Sequence, residues 1–153
     1  MTDILTQVHG YKLGLAATGE LVSNEIQITQ PAVGATITVS AEAATTANTR
    51  DIVVQLTDAN GDNIAYAESV EIIMYLTADK LAYVVTGGST GITIGAAGNG
   101  SVLPVVAKKY ILATTEANGL LDLDWLDTGT EAAFLGIKLP NGTVVVSSAL
   151  TNA

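Results

Sequence analysis

The chain contains no cysteine and only one histidine among its 153 residues. The lack of cysteine excludes disulfides, thiolate zinc sites and cysteine nucleophiles. The single imidazole, His9, cannot form a histidine-rich metal site, and a Ser-His-Asp triad would have to use it. His9 stands beside Gly10 near the N-terminus, where a rigid general base is hard to support. The sequence therefore predicts no enzyme, no metal site and no cofactor.

Basic residues are also scarce. Six Lys and Arg against fifteen Asp and Glu give a formal net charge of −9, and Lys108-Lys109 is the only adjacent basic pair. A surface of that sign repels nucleic-acid backbones and anionic membrane surfaces. We therefore expect neither nucleic acid nor membrane as a partner. On this interpretation the negative charge keeps the protein soluble. The alternative is that the negative surface binds a partner with a basic rim.

Long apolar runs are missing as well. The first ten residues have neither the basic stretch nor the apolar run of a secretion signal. The segment 70–76 is too short and too polar to span a membrane. We expect the chain to fold in the cytoplasm where it is made.

The sequence is rich in turn signals between β-prone segments. Asp58-Ala59-Asn60-Gly61 and Glu116-Ala117-Asn118-Gly119 are two copies of one signal, and Asn141-Gly142 is a third. Asn-Gly favours chain reversal because it readily adopts positive φ. The segments between these turns alternate apolar and polar residues, as half-buried strands do. Strands are predicted over 26–29, 36–42, 51–57, 70–76, 81–85, 92–94, 102–113, 121–125, 134–139 and 143–146.

Many short strands separated by turns indicate an all-β fold, specifically an antiparallel β-sandwich. Alternate residues of each strand face the core, since successive side chains point to opposite sides of a sheet. The residues predicted to form the core are Ile37, Val39, Ile52, Val54, Ile72, Met74, Leu121, Leu123 and Trp125.

Two units are predicted, an N-terminal arm over 1–24 and the sandwich over 25–153. The arm is interpreted as a hairpin that turns at 16–19, too short to be stable alone. Its apolar side chains must dock on the sandwich or on another chain. The predicted contact residues for attachment or oligomerisation are Tyr11, Leu13, Leu15, Leu21 and Val22.

A family resemblance rests on the two long turn signals and the strands around them. The segments 53–61, 115–119 and 128–130, with Leu121 and Leu123, resemble the bacterial immunoglobulin-like family, group-1 type. That family occurs in invasin-like adhesins and in many tailed-phage virion proteins. The similarity covers about residues 35–150 and implies an immunoglobulin-like sandwich that binds rather than catalyses.

The chain also departs from that family pattern. Asn63 stands where the family usually has proline, and Tyr66 stands near a usual glycine. The segment 9–15 is similar to the N-terminal segments of small phage head or tail proteins.

Three acidic or amide residues have the spacing of the first ligands in a calcium loop. These are Asp58, Asn60 and Asp62. An EF-hand also needs glycine at position six and glutamate at position twelve, where this chain has Asn63 and Ser69. A solvated turn is the preferred interpretation, and a weak cation site is the alternative.

Three aspartates surround the only tryptophan. Asp122 and Asp124 share the strand face opposite Trp125, and Asp127 follows. Carboxylates in such positions are usually solvated, so we expect Trp125 in the core and the aspartates in water. A glycosidase pair is the alternative, but it requires a cleft lined by aromatic residues.

The glycine-rich stretch 86–101 lacks the pattern of a phosphate-binding loop. We interpret it as a mobile connection or a contact loop. Sugar binding would need exposed aromatics beside polar groups, and Tyr66, Tyr83 and Tyr110 are the plausible supply.

These observations predict a non-enzymatic structural protein of a tailed-phage particle, assembled into the virion in the host cytoplasm. The expected role is a capsid decoration or head-surface protein. Its arm would bind the major capsid protein or another virion protein, and the chain would form a homo-oligomer. The alternative is a tail-associated, fibre-associated or cell-surface module that recognises carbohydrate or protein, and an enzyme ranks third.

Overall fold

The computed structural model describes residues 7–8, 11–12, 31–42, 46–129 and 131–152. Within those ranges the chain forms eleven β-strands and no helix, so no described helix is able to cross a membrane. The strands are β1 (Gln7–Val8), β2 (Tyr11–Lys12), β3 (Gly34–Val39), β4 (Thr49–Thr57), β5 (Ser69–Tyr75), β6 (Gly91–Ile94), β7 (Ser101–Val106), β8 (Tyr110–Thr114), β9 (Leu120–Leu126), β10 (Phe134–Lys138) and β11 (Val144–Val146).

Two antiparallel sheets pack face to face. One has four strands in the order β3-β4-β9-β6, and the other has five in the order β11-β10-β5-β8-β7. The short pair β1-β2 is separate from both. The predicted all-β antiparallel sandwich is confirmed.

The core lies between the two sheets and follows the predicted alternation. Seven of the nine predicted core residues are buried, and Trp125 is fully buried on β9. Ile37 and Val39 are half-buried and pack against the core. Both belong to β3, which is an edge strand and is therefore covered less completely than a central one.

The three Asn-Gly signals form the same turn. Gly61, Gly119 and Gly142 have positive φ values of 86°, 74° and 85°. Each glycine N–H donates to the carbonyl three residues earlier, over 3.1, 2.9 and 2.8 Å respectively. Only the glycine needs the left-handed conformation, so these are four-residue turns that end in glycine. The prediction that all three stand at strand connections is confirmed.

The predicted strand over 81–85 is wrong. Only Tyr83 pairs, in an isolated bridge with Tyr75. The strand that holds Tyr75, β5, is paired with β10 on one edge and with β8 as far as Ile73 on the other, so only its last residues remain open for pairing. The segment therefore runs along the end of β5 and leaves Leu81, Tyr83 and Val85 exposed.

The predicted single strand over 102–113 is a hairpin of β7 and β8. It turns at Lys108, a non-glycine residue with a φ of 66°, for which the sequence has no turn signal. Pro104 lies on β7, which is an edge strand, where a missing N–H is tolerated.

The N-terminal segment contains a hairpin earlier than predicted. Val8 of β1 lies opposite Tyr11 of β2, so the chain reverses between them. The predicted turn at 16–19 and the predicted strand over 26–29 lie outside the described residues.

Candidate functional site

The outer face of the five-stranded sheet carries a polar row and an apolar row. Glu71 of β5 lies between Lys138 of β10 and Leu112 of β8. Two residues further along β5, Ile73 lies beside Tyr110 of β8. The strand register therefore brings together side chains that are far apart in the sequence.

An open cleft of about 570 Å³ lies over this part of the sheet. That volume is within the range of small-ligand sites, roughly 300–1,000 Å³. Its lining combines apolar, aromatic and charged side chains, namely Glu71, Ile73, Tyr83, Val106, Lys109, Tyr110 and Lys138.

One polar cluster orders three of these side chains. Lys138 Nζ donates to both carboxylate oxygens of Glu71, at 3.0 and 3.1 Å, and Tyr110 Oη donates to Glu71 at 2.8 Å. The hydrogen bonds from Lys138 and Tyr110 lower the pKa of Glu71. The same contacts raise the pKa values of Lys138 and Tyr110. Because the pair is partly exposed, it fixes geometry more than it stabilises the fold.

A stack of two tyrosines lies at this face of the sheet. The rings of Tyr75 and Tyr83 are 5.8 Å apart and nearly parallel, at 14°. A Cβ at Gly136 would lie 2.6 Å from the Tyr75 ring, so that ring rests on a position where only glycine fits. Burial raises the pKa of Tyr75. Tyr83, which lines the cleft, remains 65% exposed on top of the stack.

The segment that carries Tyr83 is held from both sides. Val84 N donates to Met74 O at 3.2 Å, which ties the segment to the end of β5. On the other side, the Glu131 carboxylate accepts backbone hydrogen bonds from Val85, Thr86 and Gly87. Burial acts to raise the pKa of Glu131, but the hydrogen bonds from Thr86 and its neighbours lower it overall. Tyr83 is therefore exposed but fixed.

Most exposed large apolar side chains among the described residues lie outside the four-stranded sheet, and Tyr83 and Val106 line the cleft. Of eight exposed large apolar residues among those described, only Val53 belongs to the four-stranded sheet. The other seven are Leu81, Tyr83, Val85, Leu103, Val105, Val106 and Leu112. Exposed apolar side chains grouped in this way are typical of a contact surface.

The cleft is locally less acidic than the chain as a whole. It is lined by Lys109 and Lys138 and by one acid, Glu71, although the net charge of the chain is −9. Lys138 is paired with Glu71. Lys109 Nζ has no hydrogen bond or ion pair within the described parts of the chain, which leaves one uncompensated positive charge at the cleft.

The predicted calcium-like spacing forms a turn that is stabilised by its own aspartate. Asp58 Oδ1 accepts hydrogen bonds from the N–H groups of Asn60 and Asp62, at 2.9 and 3.0 Å. Across 31–42, 46–129 and 131–152, no group of three or more acidic or histidine side chains is arranged to hold a metal ion.

The prediction that Asp122 is solvated is wrong. Asp122 is only 8% exposed, because the connection between β6 and β7 covers it. Its Oδ2 accepts a hydrogen bond from Ala97 N at 2.9 Å, and a Cβ at Gly95 would lie 2.4 Å from that oxygen. Burial raises the pKa of the neighbouring Asp124, and the carboxylates of Asp51 and Asp122 raise it further. The Asp122 carboxylate therefore holds the connection between β6 and β7 in place.

Part of the glycine-rich stretch packs into the fold, while residues 96–98 are exposed. Gly88 lies against the Trp125 ring, and a Cβ there would be 2.7 Å from the ring carbon Cη2. Asp127 is 4% exposed and accepts hydrogen bonds from the N–H groups of Ser89 and Gly129.

Two of the three tyrosines named from the sequence meet at the cleft. Tyr83 and Tyr110 both line it. Tyr66 instead packs against the core, and burial followed by the charge of Glu68 raises its pKa. Of the predicted attachment residues, Tyr11 lies in β2, while the others, Leu13, Leu15, Leu21 and Val22, lie outside the described residues.

Sequence reasoning missed Glu71 and Lys138. Each is a lone charged residue in an apolar strand, which marks an outward position. That signal was present, but the sequence does not show that β5 and β10 are neighbours. Without the pairing, the two charges cannot be assigned to one site.

Comparison with known proteins gives no family assignment. No protein-family model matches the chain, and no curated protein is significantly similar to it. We therefore infer the function of the chain from the geometry of the outer face.

Proposed function

We propose that the protein is a non-enzymatic adhesion protein and that the outer face of the five-stranded sheet is its contact surface. The observation that carries this proposal is the position of the exposed large apolar side chains among the described residues. Seven of the eight lie outside the four-stranded sheet, four of those seven are on β7 and β8, and two of the seven line the cleft. Burying apolar surface provides the main favourable term in protein association. The acidic four-stranded sheet, with Asp51 and Asp124 opposite each other on β4 and β9, offers no comparable apolar surface.

The proposed setting is the surface of a tailed-phage particle, as a capsid decoration or head-surface protein. The resemblance to the bacterial immunoglobulin-like family supports this setting. The strand orders β3-β4-β9-β6 and β11-β10-β5 also agree with the two sheets of an immunoglobulin-like sandwich, with β7 and β8 added beside β5. In this proposal the arm over residues 1–24 attaches to the major capsid protein or another virion protein.

A module that recognises carbohydrate or protein, on a tail, a fibre or a cell surface, is the second candidate. The cleft favours it, because Tyr83 and Tyr110 stand there beside charged side chains. Both candidates use the same outer face and differ in what that face contacts.

Homo-oligomer formation is assigned to the edge strip, defined as Leu103, Val105 and Leu112. Leu103 and Leu112 are opposite each other on β7 and β8, and β7 is the edge of the sheet. An exposed edge strand with apolar side chains is a template for pairing with another chain. A second copy of this chain is the proposed occupant.

Leu103→Lys should convert the self-associated protein to a monomer, because the substitution places a charge in the centre of the edge strip. The measurement is light scattering coupled to size-exclusion chromatography on the full chain. We expect the wild type to elute at twice the chain mass or more and the variant at the mass of one chain.

Val53→Lys is the matched control, because it adds the same charge at the exposed apolar residue of the other sheet. It should leave the oligomer intact. A monomeric wild type, or an oligomer that survives Leu103→Lys, would contradict the assignment of the edge strip.

A further inference from the structure

The cleft contains a rigid aromatic wall, which association surfaces in general do not require. Tyr83 stacks on Tyr75, and Tyr75 rests against Gly136. An exposed ring that is already fixed loses little conformational entropy when a ligand packs on it. Ile73 adds an apolar patch within the same cleft.

The opposite side of the cleft offers fixed donors and acceptors at short spacing. Glu71 supplies carboxylate oxygens, and Lys138 and Tyr110 are held against it at 2.8–3.1 Å. A polyhydroxyl ligand both donates and accepts hydrogen bonds at neighbouring atoms, so it matches such a mixed cluster. A ligand with acceptors alone, such as a phosphate group, would be repelled by Glu71.

We propose that this cleft is a saccharide-binding site and that it takes a sugar carrying a carboxylate. The apolar face of the sugar ring packs on Tyr83, and its hydroxyl groups bond to Glu71, Lys138 and Tyr110. The sugar carboxylate lies against Lys109, whose positive charge has no partner in the described parts of the chain. The inference rests on the proposed role of the outer face as the binding surface.

Several features favour a sugar over an acidic peptide as the ligand. The site is concave, whereas protein contacts through exposed strips are flatter and larger. Its polar groups are already ordered around one carboxylate, Glu71, which disfavours a partner with many acidic groups. None of the three edge-strip residues lines the cleft, although Leu112 lies beside Glu71 in the sheet.

The test is calorimetric titration of the purified full chain with galacto-oligosaccharides that end in a single uronic acid, and with neutral galacto-oligosaccharides of equal length. We expect binding of both, with the acidic sugar bound more tightly. Tyr83→Ala should weaken binding of both about tenfold or more, because it removes the aromatic wall. Lys109→Gln should weaken only the acidic sugar, by about threefold to tenfold.

Two matched controls distinguish these effects from a nonspecific disturbance of the structure near the cleft. Leu81→Ala removes a neighbouring exposed apolar side chain that does not line the cleft, and Lys80→Gln removes an exposed lysine of the same segment. Both should leave the sugar affinities within twofold.

Absence of sugar binding, or equal loss in Tyr83→Ala and Leu81→Ala, would overturn the assignment. So would tighter binding of a glutamate-rich peptide that Tyr83→Ala weakens, since the ligand would then be a peptide. If these results occur while Leu103→Lys still dissociates the oligomer, the sugar site fails and the proposed adhesion function stands.

Discussion

Replacing Trp125 with alanine should lower the free energy of unfolding by about 3–5 kcal/mol. The indole is fully buried on β9, a central strand of its sheet, and it packs against the glycine-rich segment. Removing it loses the burial of a large ring and leaves a cavity that rigid strands cannot fill. For a domain of this size the loss corresponds to a fall in Tm of roughly 10 °C.

Urea denaturation, followed by far-UV circular dichroism, measures this effect. Trp125→Phe is the control, because Trp125 Nε1 has no hydrogen-bond partner in the described structure and phenylalanine therefore loses no polar contact. Trp125→Phe should lower the free energy of unfolding clearly less than Trp125→Ala does. A loss below about 1 kcal/mol for Trp125→Ala would show that the ring is not part of the core.

Gly88→Ala should lower the free energy of unfolding by roughly 2–4 kcal/mol. Gly88 has a φ of 80°, which disfavours any residue with a Cβ. The added methyl group would also lie 2.7 Å from Trp125 Cη2 and 3.0 Å from Leu126 O. Backbone strain and overpacking therefore add at this position.

Gly98→Ala is the matched control for backbone strain. Gly98 has a similar φ of 71°, but nothing lies within 4 Å of its added Cβ. Gly98→Ala should lower the free energy of unfolding by only about 1 kcal/mol. In a Trp125→Ala background the clash with the ring disappears and only the contact with Leu126 O remains, so Gly88→Ala should then lower the free energy of unfolding by less than it does in the wild type. Equal costs in the wild-type background would contradict the packing described for the glycine-rich segment.

The strands and turns of this fold follow from local sequence signals. Alternation of apolar residues places Ile52, Val54 and Leu56 on one face of β4 whatever their partners are. Asn-Gly marks the ends of strands because the glycine adopts positive φ without steric penalty. Both rules act within a few residues, and both predictions are confirmed.

Strand order depends on contacts between residues that are far apart in the sequence. The predictions that were wrong depend on such contacts. Residues 81–85 have strand composition, but β5 is paired on both edges except at its last residues, so only Tyr83 pairs. Asp122 alternates with apolar residues, and that pattern alone places it on the solvent face. It is buried because the connection after β6 folds over it.

The candidate site was predictable only in part. Tyr66, Tyr83 and Tyr110 were identified as the aromatics available for a ligand, and two of them, Tyr83 and Tyr110, line the cleft. Glu71, Lys109 and Lys138 became part of the site only when β5, β8 and β10 were placed side by side. A long-range pairing of that kind has no signature in a single sequence.

Quantitative mass spectrometry of purified phage particles tests the central proposal of an adhesion protein most directly. Particles are prepared from cells that make the full chain, and from cells that make a form lacking residues 1–23. We expect the full chain at a fixed multiple of copies per particle, and loss of the truncated form, which should still fold as a β-sandwich by circular dichroism. Recovery of the full chain only in the fraction free of particles would contradict the proposed setting, and equal recovery of both forms would contradict attachment through the arm.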